Sequence, residues 1–219
     1  MKFARILAGT ALAALAFTST APAQDASTVK LALIDGQSGP NGFIGESMRQ
    51  HLQFFAEKQN AAGGVLGGRK FDVVAFDNKF DPQETIVQLQ KAIDAGARYV
   101  FHGNSSAVAG AIVDFLEKHN RRNPDKSVLY INFAALDPVL TNDKCSFWHF
   151  RFDADVNIRT AAITNQIQKD PSIKKVYLFN QDYSFGKAVR AAATQMLKDK
   201  RPDIQIVGDE LIPLQKVTD

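Results

Sequence analysis

Short apolar runs alternate along the chain with segments whose apolar residues recur every three or four positions. The runs are rich in β-branched and aromatic residues and are mostly continuous, which favours strands that are covered on both faces. They lie at residues 29–34, 71–76, 99–101, 128–133, 176–179 and 204–207. We therefore predict six buried strands of the parallel kind.

The segments between the runs each carry one apolar face, as amphipathic helices do. Their apolar residues are Ile44, Met48, Leu52 and Phe55; Ile86, Leu89 and Ile93; Val108, Ile112 and Phe115; Ile163 and Ile167; and Val189 and Met196. The second helix also has a start signal, with Asp81 as N-cap, Pro82 at the first helical position and Glu84 three residues after the cap. The steady alternation of strand and helix predicts a Rossmann-like α/β lobe with helices on both sides of a parallel sheet.

The alternation is interrupted after the fourth strand. Residues 142–146 are turn-like, and residues 147–152 form an aromatic extended run. We interpret this stretch as the crossing from one lobe to another. Because the series that follows has only two strands and two helices, we expect an incomplete second α/β lobe and a chain that is a fragment of a longer protein.

The amino terminus has the three parts of a secretory signal peptide. Lys2 and Arg5 precede an apolar run over residues 6–17, and Ala21-Pro22-Ala23 provides a small-residue cleavage site. The apolar run is too short to span a bilayer as a mature helix. The predicted division of the chain is a signal peptide over residues 1–23, a first α/β lobe over residues 24–145 and a partial second α/β lobe over residues 146–219.

The cysteine count, the charge balance and the sequence motifs of the chain exclude several classes of function. Cys145 is the only cysteine, so we expect no internal disulfide, no Cys-rich metal site and no lipid attachment after the cleavage site. Of the 26 Lys and Arg residues, 24 remain without Lys2 and Arg5, against 23 Asp and Glu, and this balance predicts no nucleic-acid partner. No P-loop or dinucleotide-binding fingerprint is present, so we expect no cofactor. The lack of a cysteine after the cleavage site favours a protein that is free in the periplasm, and we expect it to be a monomer.

The segment His102-Gly103-Asn104-Ser105-Ser106 follows the third strand and opens the third helix. In open α/β sheets, ligands bind outside the carboxyl ends of the strands. Ser105 or Ser106 can cap the helix, whose first N–H groups favour a carboxylate by about 0.3–1 kcal/mol at an exposed site. From this segment alone, an ordinary serine N-cap without a ligand is an equally good explanation.

An exported hydrolase is the alternative from a different function class. A nucleophile elbow needs Gly-x-Ser-x-Gly, and the match that begins at Gly103 lacks the last glycine. A catalytic triad would also need a positioned histidine. We expect His51 and His119 on helix exteriors and His102 as a histidine satisfied by its surroundings. We therefore predict no catalytic residues and no enzyme activity.

Several segments, taken together, resemble the periplasmic substrate-binding proteins of branched-chain amino acid ABC transporters, typified by the leucine/isoleucine/valine-binding protein. In family order they are Ser38-Gly39-Pro40 with Gly45, residues 60–65 with Gly67, Asp77 with Asp81-Pro82, residues 103–106, Ala134-Ala135 with Leu140-Thr141, Phe150-Arg151 with Asp155, and residues 183–186. Their order and spacing are fairly specific. The resemblance implies a type I periplasmic binding fold that closes on a small ligand and delivers it to an inner-membrane permease.

The resemblance also implies first-lobe site residues. In this family the serine after the third strand and an Ala-Ala-Thr stretch after the fourth hold the carboxylate and ammonium groups of the ligand. Here these positions correspond to Ser105, with Ser106 beside it, and to Ala134, Ala135 and Leu136. Leu136 replaces the family's threonine, which removes a hydroxyl partner for an α-amino group.

Aromatic positions of the family complete the expected site. The aromatic residue that closes over the ligand corresponds to Phe185, with Tyr183 nearby, and the aromatic region of the first loop corresponds to Phe43 and Ile44. Phenylalanine at position 185 and leucine at position 136 make the expected pocket more apolar than is usual in the family. An aromatic or aliphatic carboxylic acid is therefore the alternative ligand to a branched-chain amino acid, and a ligand-sensing domain is the alternative role for the fold.

Overall fold

Two parallel sheets organise residues 28–213, the part of the chain that the computed structural model describes. The first has the order β2-β1-β3-β4-β5, and the second pairs β6 with β7. The strands are β1 (Thr28–Asp35), β2 (Lys70–Asp77), β3 (Tyr99–His102), β4 (Leu129–Asn132), β5 (His149–Arg151), β6 (Lys175–Gln181) and β7 (Gln205–Ile212). All strand pairs within the two sheets are parallel, which confirms the α/β class and the positions of the predicted strands. The predicted burial on both faces is wrong for the second sheet, where Tyr177 and Phe179 of β6 and Val207 of β7 are exposed, since within the described residues this sheet consists of β6 and β7 alone.

Five helices connect the strands, and each occupies a segment predicted to be helical. They are α1 (Gly42–Ala61), α2 (Pro82–Asp94), α3 (Ser106–Arg122), α4 (Val156–Lys169) and α5 (Ser184–Lys200), with short 3-10 turns at Pro124–Lys126 and Pro138–Leu140. The start of α2 is the one that the sequence indicates, because Asp81 accepts a hydrogen bond from the backbone N–H of Glu84 at 2.7 Å. After α1, Gly63 has a φ of +109°, a left-handed conformation that favours glycine.

The main core lies between the first sheet and helices α2 and α3. Ile34, Val100 and Tyr130 from the strands, Leu89 from α2 and Ile112 from α3 are fully buried there. Each such side chain contributes roughly 1.5–3 kcal/mol through burial. This packing fixes the carboxyl ends of β1, β3 and β4, so the loops that follow them meet at one edge of the sheet.

The aromatic run interpreted as the lobe crossing contributes an edge strand to the first sheet. β5 pairs with β4, with Tyr130 opposite His149, and the two rings stack with centroids 4.9 Å apart. The boundary predicted after residue 145 thus leaves β5 outside the sheet to which it belongs. A strand of three residues is too short to show a period, which is why the sequence did not reveal its pairing. The division into two lobes otherwise stays a prediction.

The second unit, formed by β6 and β7 with helices α4 and α5, is smaller than the unit built on the first sheet. Helices α4 and α5 pack against each other, and α5 also packs on β6. The signal peptide predicted for residues 1–23 lies outside the described residues. Among residues 28–213, none of the helices has the length and apolar character that crossing a membrane requires.

Candidate ligand-binding site

Ser105 and Ser106 form the turn between β3 and α3, at the carboxyl edge of the sheet. Ser105 is the N-cap of α3, and its Oγ accepts a hydrogen bond from the backbone N–H of Val108 at 3.4 Å. A Cβ at Gly103 would overlap the ring of Phe133, so the close approach of the two loops requires glycine there. Because the first turn of α3 has no acidic side chain, its N–H groups retain their attraction for an anion.

The loop after β4 is organised by Asn132, a residue that sequence reasoning did not select. Asn132 Oδ1 accepts from the backbone N–H groups of Ala134 at 3.2 Å and Ala135 at 2.7 Å, and Nδ2 donates to the Ala135 carbonyl at 2.9 Å. The N–H groups of both alanines are therefore already hydrogen-bonded within the loop. Ser106 Oγ accepts from the backbone N–H of Asp137 at 3.3 Å, which brings the two predicted first-lobe segments together.

Leu136 lies in this loop as a buried residue. Its carbonyl oxygen accepts a hydrogen bond from the backbone N–H of Val156 at 3.0 Å, and Val156 is the first residue of α4. The loop that carries the predicted first-lobe site residues is thus attached directly to the first helix after β5.

Tyr183 and Phe185 lie together at the start of α5, as the resemblance implies. Both are half-buried, their ring centroids are 6.0 Å apart, and burial raises the pKa of the Tyr183 hydroxyl. No side chain caps α5 at Tyr183, and its first turn has no acidic residue. A Cβ at Gly186 would overlap the carbonyl oxygen of Gln181, so glycine allows α5 to begin tightly against the end of β6.

A cavity of about 340 Å³ lies where the first turns of α3 and α5 meet the loop after β4. Its lining residues are Ser106, Ala107, Gly110, Ala111, Asp114, Asp137, Val139, Leu140, Lys144 and Ser184. Ser184 Oγ is buried and has no hydrogen-bond partner within residues 28–213. Lys144 and Asp114 form an ion pair of 2.5 Å in its wall. Asp137 and Ser184 are adjacent in sequence to predicted site residues, and adjacency was the only signal that pointed to them.

Of the nine predicted site residues, Ser106 is the one that lines this cavity. Ser105, Ala134, Ala135, Leu136, Tyr183 and Phe185 do not line it but lie in the chain segments next to it, whereas Phe43 and Ile44 lie in the first turn of α1. Phe43 is 70% exposed and Ile44 is half-buried. The preceding loop is fastened to β2, because Asp77 accepts hydrogen bonds from the Gln37 N–H at 2.9 Å and from Ser38 Oγ at 2.5 Å. A role for these two residues in the site stays a prediction.

The histidine nearest to Ser105 does not act on its hydroxyl. His102 Nδ1 lies 2.7 Å from the Ile34 carbonyl oxygen, and Nε2 lies 3.2 Å from the Ser105 carbonyl oxygen. His102 is therefore satisfied by backbone groups, as predicted. Because activation of a serine needs a base hydrogen-bonded to its hydroxyl, this geometry gives no support to the hydrolase alternative.

A model of the periplasmic binding protein family matches residues 28–219. The chain belongs to this family. The "Leu/Ile/Val-binding protein homolog 4" of Brucella abortus (strain 2308) is 36% identical over 214 residues, which are 97% of this chain and 50% of that protein. The family and fold implied by the sequence resemblance are thereby confirmed.

Two solved periplasmic binding proteins share the fold of the chain. The leucine-, isoleucine-, valine-, threonine- and alanine-binding protein of Brucella ovis, in a closed conformation, matches with a TM-score of 0.77 at 33% identity, over 89% of this chain and 49% of that one. A solute-binding protein of an ABC transporter from R. palustris, in complex with benzoate, matches with a TM-score of 0.74 at 21% identity, over 87% and 49%. The chain spans about half the length of these relatives.

Proposed function

We propose that this periplasmic binding protein chain is the ligand-capturing part of a solute receptor for an ABC importer. Its ligand is a small carboxylate, in the first place a branched-chain amino acid or one of similar size. The receptor is exported through the signal peptide at residues 1–23, binds without catalysis as a monomer in the periplasm, and delivers its ligand to an inner-membrane permease. Relatives at 33–36% identity are named for binding leucine, isoleucine and valine, which supports this ligand class.

The observation that carries the proposal is that two helices begin at one cavity. Ser106 is the first residue of α3 and Ser184 is the first residue of α5, and both line it. Helix N-terminal N–H groups stabilise an anion by about 0.3–1 kcal/mol at exposed sites and by up to about 2 kcal/mol when partly buried. The unpartnered Oγ of Ser184 adds a hydroxyl donor. Asp137, in the same wall, offers the opposite charge to an α-ammonium group.

An aromatic or aliphatic carboxylic acid is the second candidate ligand. It is favoured by the paired, half-buried rings of Tyr183 and Phe185 and by Leu136, which has no hydroxyl for an ammonium group. Such a ligand keeps the carboxylate that the helix N-termini favour and does without the ammonium partner.

Thermal unfolding of the chain against a matched ligand set tests the proposal and separates the two candidates. The set is leucine, valine, leucinamide, 4-methylpentanoate, benzoate and a hydroxycinnamate. A ligand at about a hundredfold its Kd stabilises the native state by roughly 2.7 kcal/mol. We expect leucine or valine to raise Tm and leucinamide, which lacks the carboxylate, to have no effect.

The pattern of shifts decides between the ligand classes. If 4-methylpentanoate or benzoate acts and leucine does not, the ligand is a carboxylic acid without an amino group. If no carboxylate raises Tm, the proposed function of this chain is wrong. Ester hydrolysis that is abolished by Ser105→Ala would instead support the hydrolase.

A further inference from the structure

An acidic and a basic side chain lie together beneath the Ser105 turn, fully buried. Asp35 ends β1 and His102 ends β3, and both are 0% exposed. Asp35 Oδ1 accepts from the backbone N–H of Gly36 at 3.0 Å. Asp35 Oδ2 has no hydrogen bond within residues 28–213 and lies 3.7 Å from His102 Nδ1. A buried carboxylate with an unsatisfied oxygen is costly unless a positive charge is close, and His102 is the group placed to provide one.

The hydrogen bonds of the His102 ring point to the same conclusion independently. Both ring nitrogens face backbone carbonyl oxygens, Nδ1 that of Ile34 at 2.7 Å and Nε2 that of Ser105 at 3.2 Å. Carbonyl oxygens only accept hydrogen bonds, and a neutral imidazole has one donor and one acceptor nitrogen. A neutral ring would direct a lone pair at one of the carbonyls, whereas the doubly protonated ring donates to both.

A second buried histidine provides the contrast. His149 Nδ1 lies 3.1 Å from the Leu140 carbonyl oxygen, but Nε2 lies 3.2 Å from Nδ2 of Asn132, which donates. One acceptor and one donor around the ring suit a neutral imidazole, and burial lowers the pKa of His149. The surroundings of the two histidines therefore favour different protonation states.

We propose that His102 is an imidazolium ion paired with Asp35, and that this buried pair positions the Ser105 turn. The Ser105 carbonyl that His102 holds also accepts the hydrogen bond of the Ala109 N–H at 2.9 Å, so the ring fixes the point at which α3 begins. Through the Ile34 carbonyl the same ring ties this point to β1. Any contribution of this positioning to ligand binding rests on the proposed function, whereas the charge state of the pair does not.

Tyr130 on β4 is a further ionisable group against the pair. Its hydroxyl donates to the His102 carbonyl at 3.4 Å, and burial together with the negative charge of Asp35 raises its pKa. Tyr130 therefore remains a neutral donor. The first turn of α3, whose N-cap carbonyl at Ser105 contacts the ring, contributes no acidic group.

The test is NMR of the ligand-free chain, labelled with ¹⁵N-histidine, at neutral pH. We expect His102 to show a proton on each ring nitrogen and His149 to show one proton in the same sample. Asp35→Asn keeps an oxygen for the Gly36 N–H and removes the charge, so one of the two His102 protons should be lost. Asp77→Asn is the matched control, because Asp77 pairs with Asp35 in the β1–β2 register and should leave both His102 protons in place.

A wild-type His102 with a single ring proton would overturn the proposal, and this spectrum decides even if Asp35→Asn fails to fold. Retention of both protons in Asp35→Asn would show that Asp35 is not the partner. The ligand scan is a separate measurement, so the two proposals fail separately. Two ring protons with no ligand response would contradict only the proposed function, and one ring proton with a ligand response would contradict only the ion pair.

Discussion

Arg151 and Asp155 form an ion pair of 3.2 Å in which the two side chains are only 8% and 16% exposed. The same guanidinium donates to the Asp137 carbonyl at 3.0 Å and to Thr141 Oγ1 at 2.8 Å. Arg151 therefore fastens the loop after β4, which carries the predicted site residues, to the N-cap of α4. Together with the hydrogen bond from Val156 to Leu136, it connects the first sheet to the second unit at the edge of the candidate site.

Replacement of Arg151 should weaken the fold more than replacement of an exposed arginine nearby. Arg151→Met leaves the Asp137 carbonyl and the Asp155 carboxylate without this donor, and hydrogen bonds to charged groups contribute about 1.5–3 kcal/mol. Arg159→Met is the control, because its ion pair with Asp153 has side chains that are 51% and 25% exposed, and such pairs contribute about 0–1 kcal/mol. Urea unfolding of the two variants and the wild type gives the loss in the free energy of unfolding for each replacement. Equal losses would mean that Arg151 does not join the two units.

Two replacements of Ser105 should separate its capping role from its proposed binding role. Ser105→Ala removes the N-cap and should lower the free energy of unfolding by about 1 kcal/mol. Ser105→Asp keeps an effective cap and places a negative charge at the N-terminus of α3, whose N–H groups are proposed to attract the ligand carboxylate. For Ser105→Asp we expect a free energy of unfolding in urea near that of the wild type and no rise in Tm with carboxylate ligands. A Ser105→Asp variant that responds to ligand like the wild type would place Ser105 outside the site.

Two glycines in or near the cavity should respond to alanine with opposite signs. A Cβ at Gly186 would overlap the backbone carbonyl of Gln181, so the start of α5 must shift, and such overpacking costs about 1–3 kcal/mol. Among the described residues, a Cβ at Gly110 in α3 would meet only Lys144 Nζ, at 4.0 Å, so Gly110→Ala should stabilise the helix by roughly 0.5–1 kcal/mol. Thermal unfolding checks both. Stabilisation by Gly186→Ala would show that α5 does not begin tightly against β6.

The elements that could be predicted from the sequence are those with a local cause. The strands follow from continuous apolar runs, and the start of α2 follows from Asp81 and Pro82. β5 could not be predicted as part of the first sheet, since its three residues pair with a strand that is distant in sequence. Its aromatic residues suggested an extended segment without indicating a partner.

In the candidate site too, residues with a local cause could be predicted, and residues whose roles depend on contacts between loops could not. Ser105 and Ser106 could be placed at a strand end because the turn and the helix start are visible in sequence. The roles of Asn132 and Asp137 depend on contacts between loops, which no local pattern encodes. The family resemblance supplied the positions of Ala134 to Leu136, but it did not indicate that the N–H groups of both alanines are bound by Asn132.

The acid sensitivity of the fold should depend on His149. Burial is the largest cause that lowers the pKa of His149, and the charge of Arg151 lowers it further. The hydrogen bond to the Leu140 carbonyl opposes them in part. Below the ordinary histidine value of about 6.5 the unfolded chain binds a proton that the folded chain does not. The free energy of unfolding should therefore fall as pH drops from about 6.5 toward the lower folded pKa, by at most about 1.4 kcal/mol per pH unit for this group. Urea unfolding of His149→Gln should show a shallower dependence than the wild type, whereas His51→Gln, on the exposed surface of α1, should keep the wild-type slope. Identical slopes in all three proteins would mean that His149 takes up its proton equally well in the folded and unfolded states.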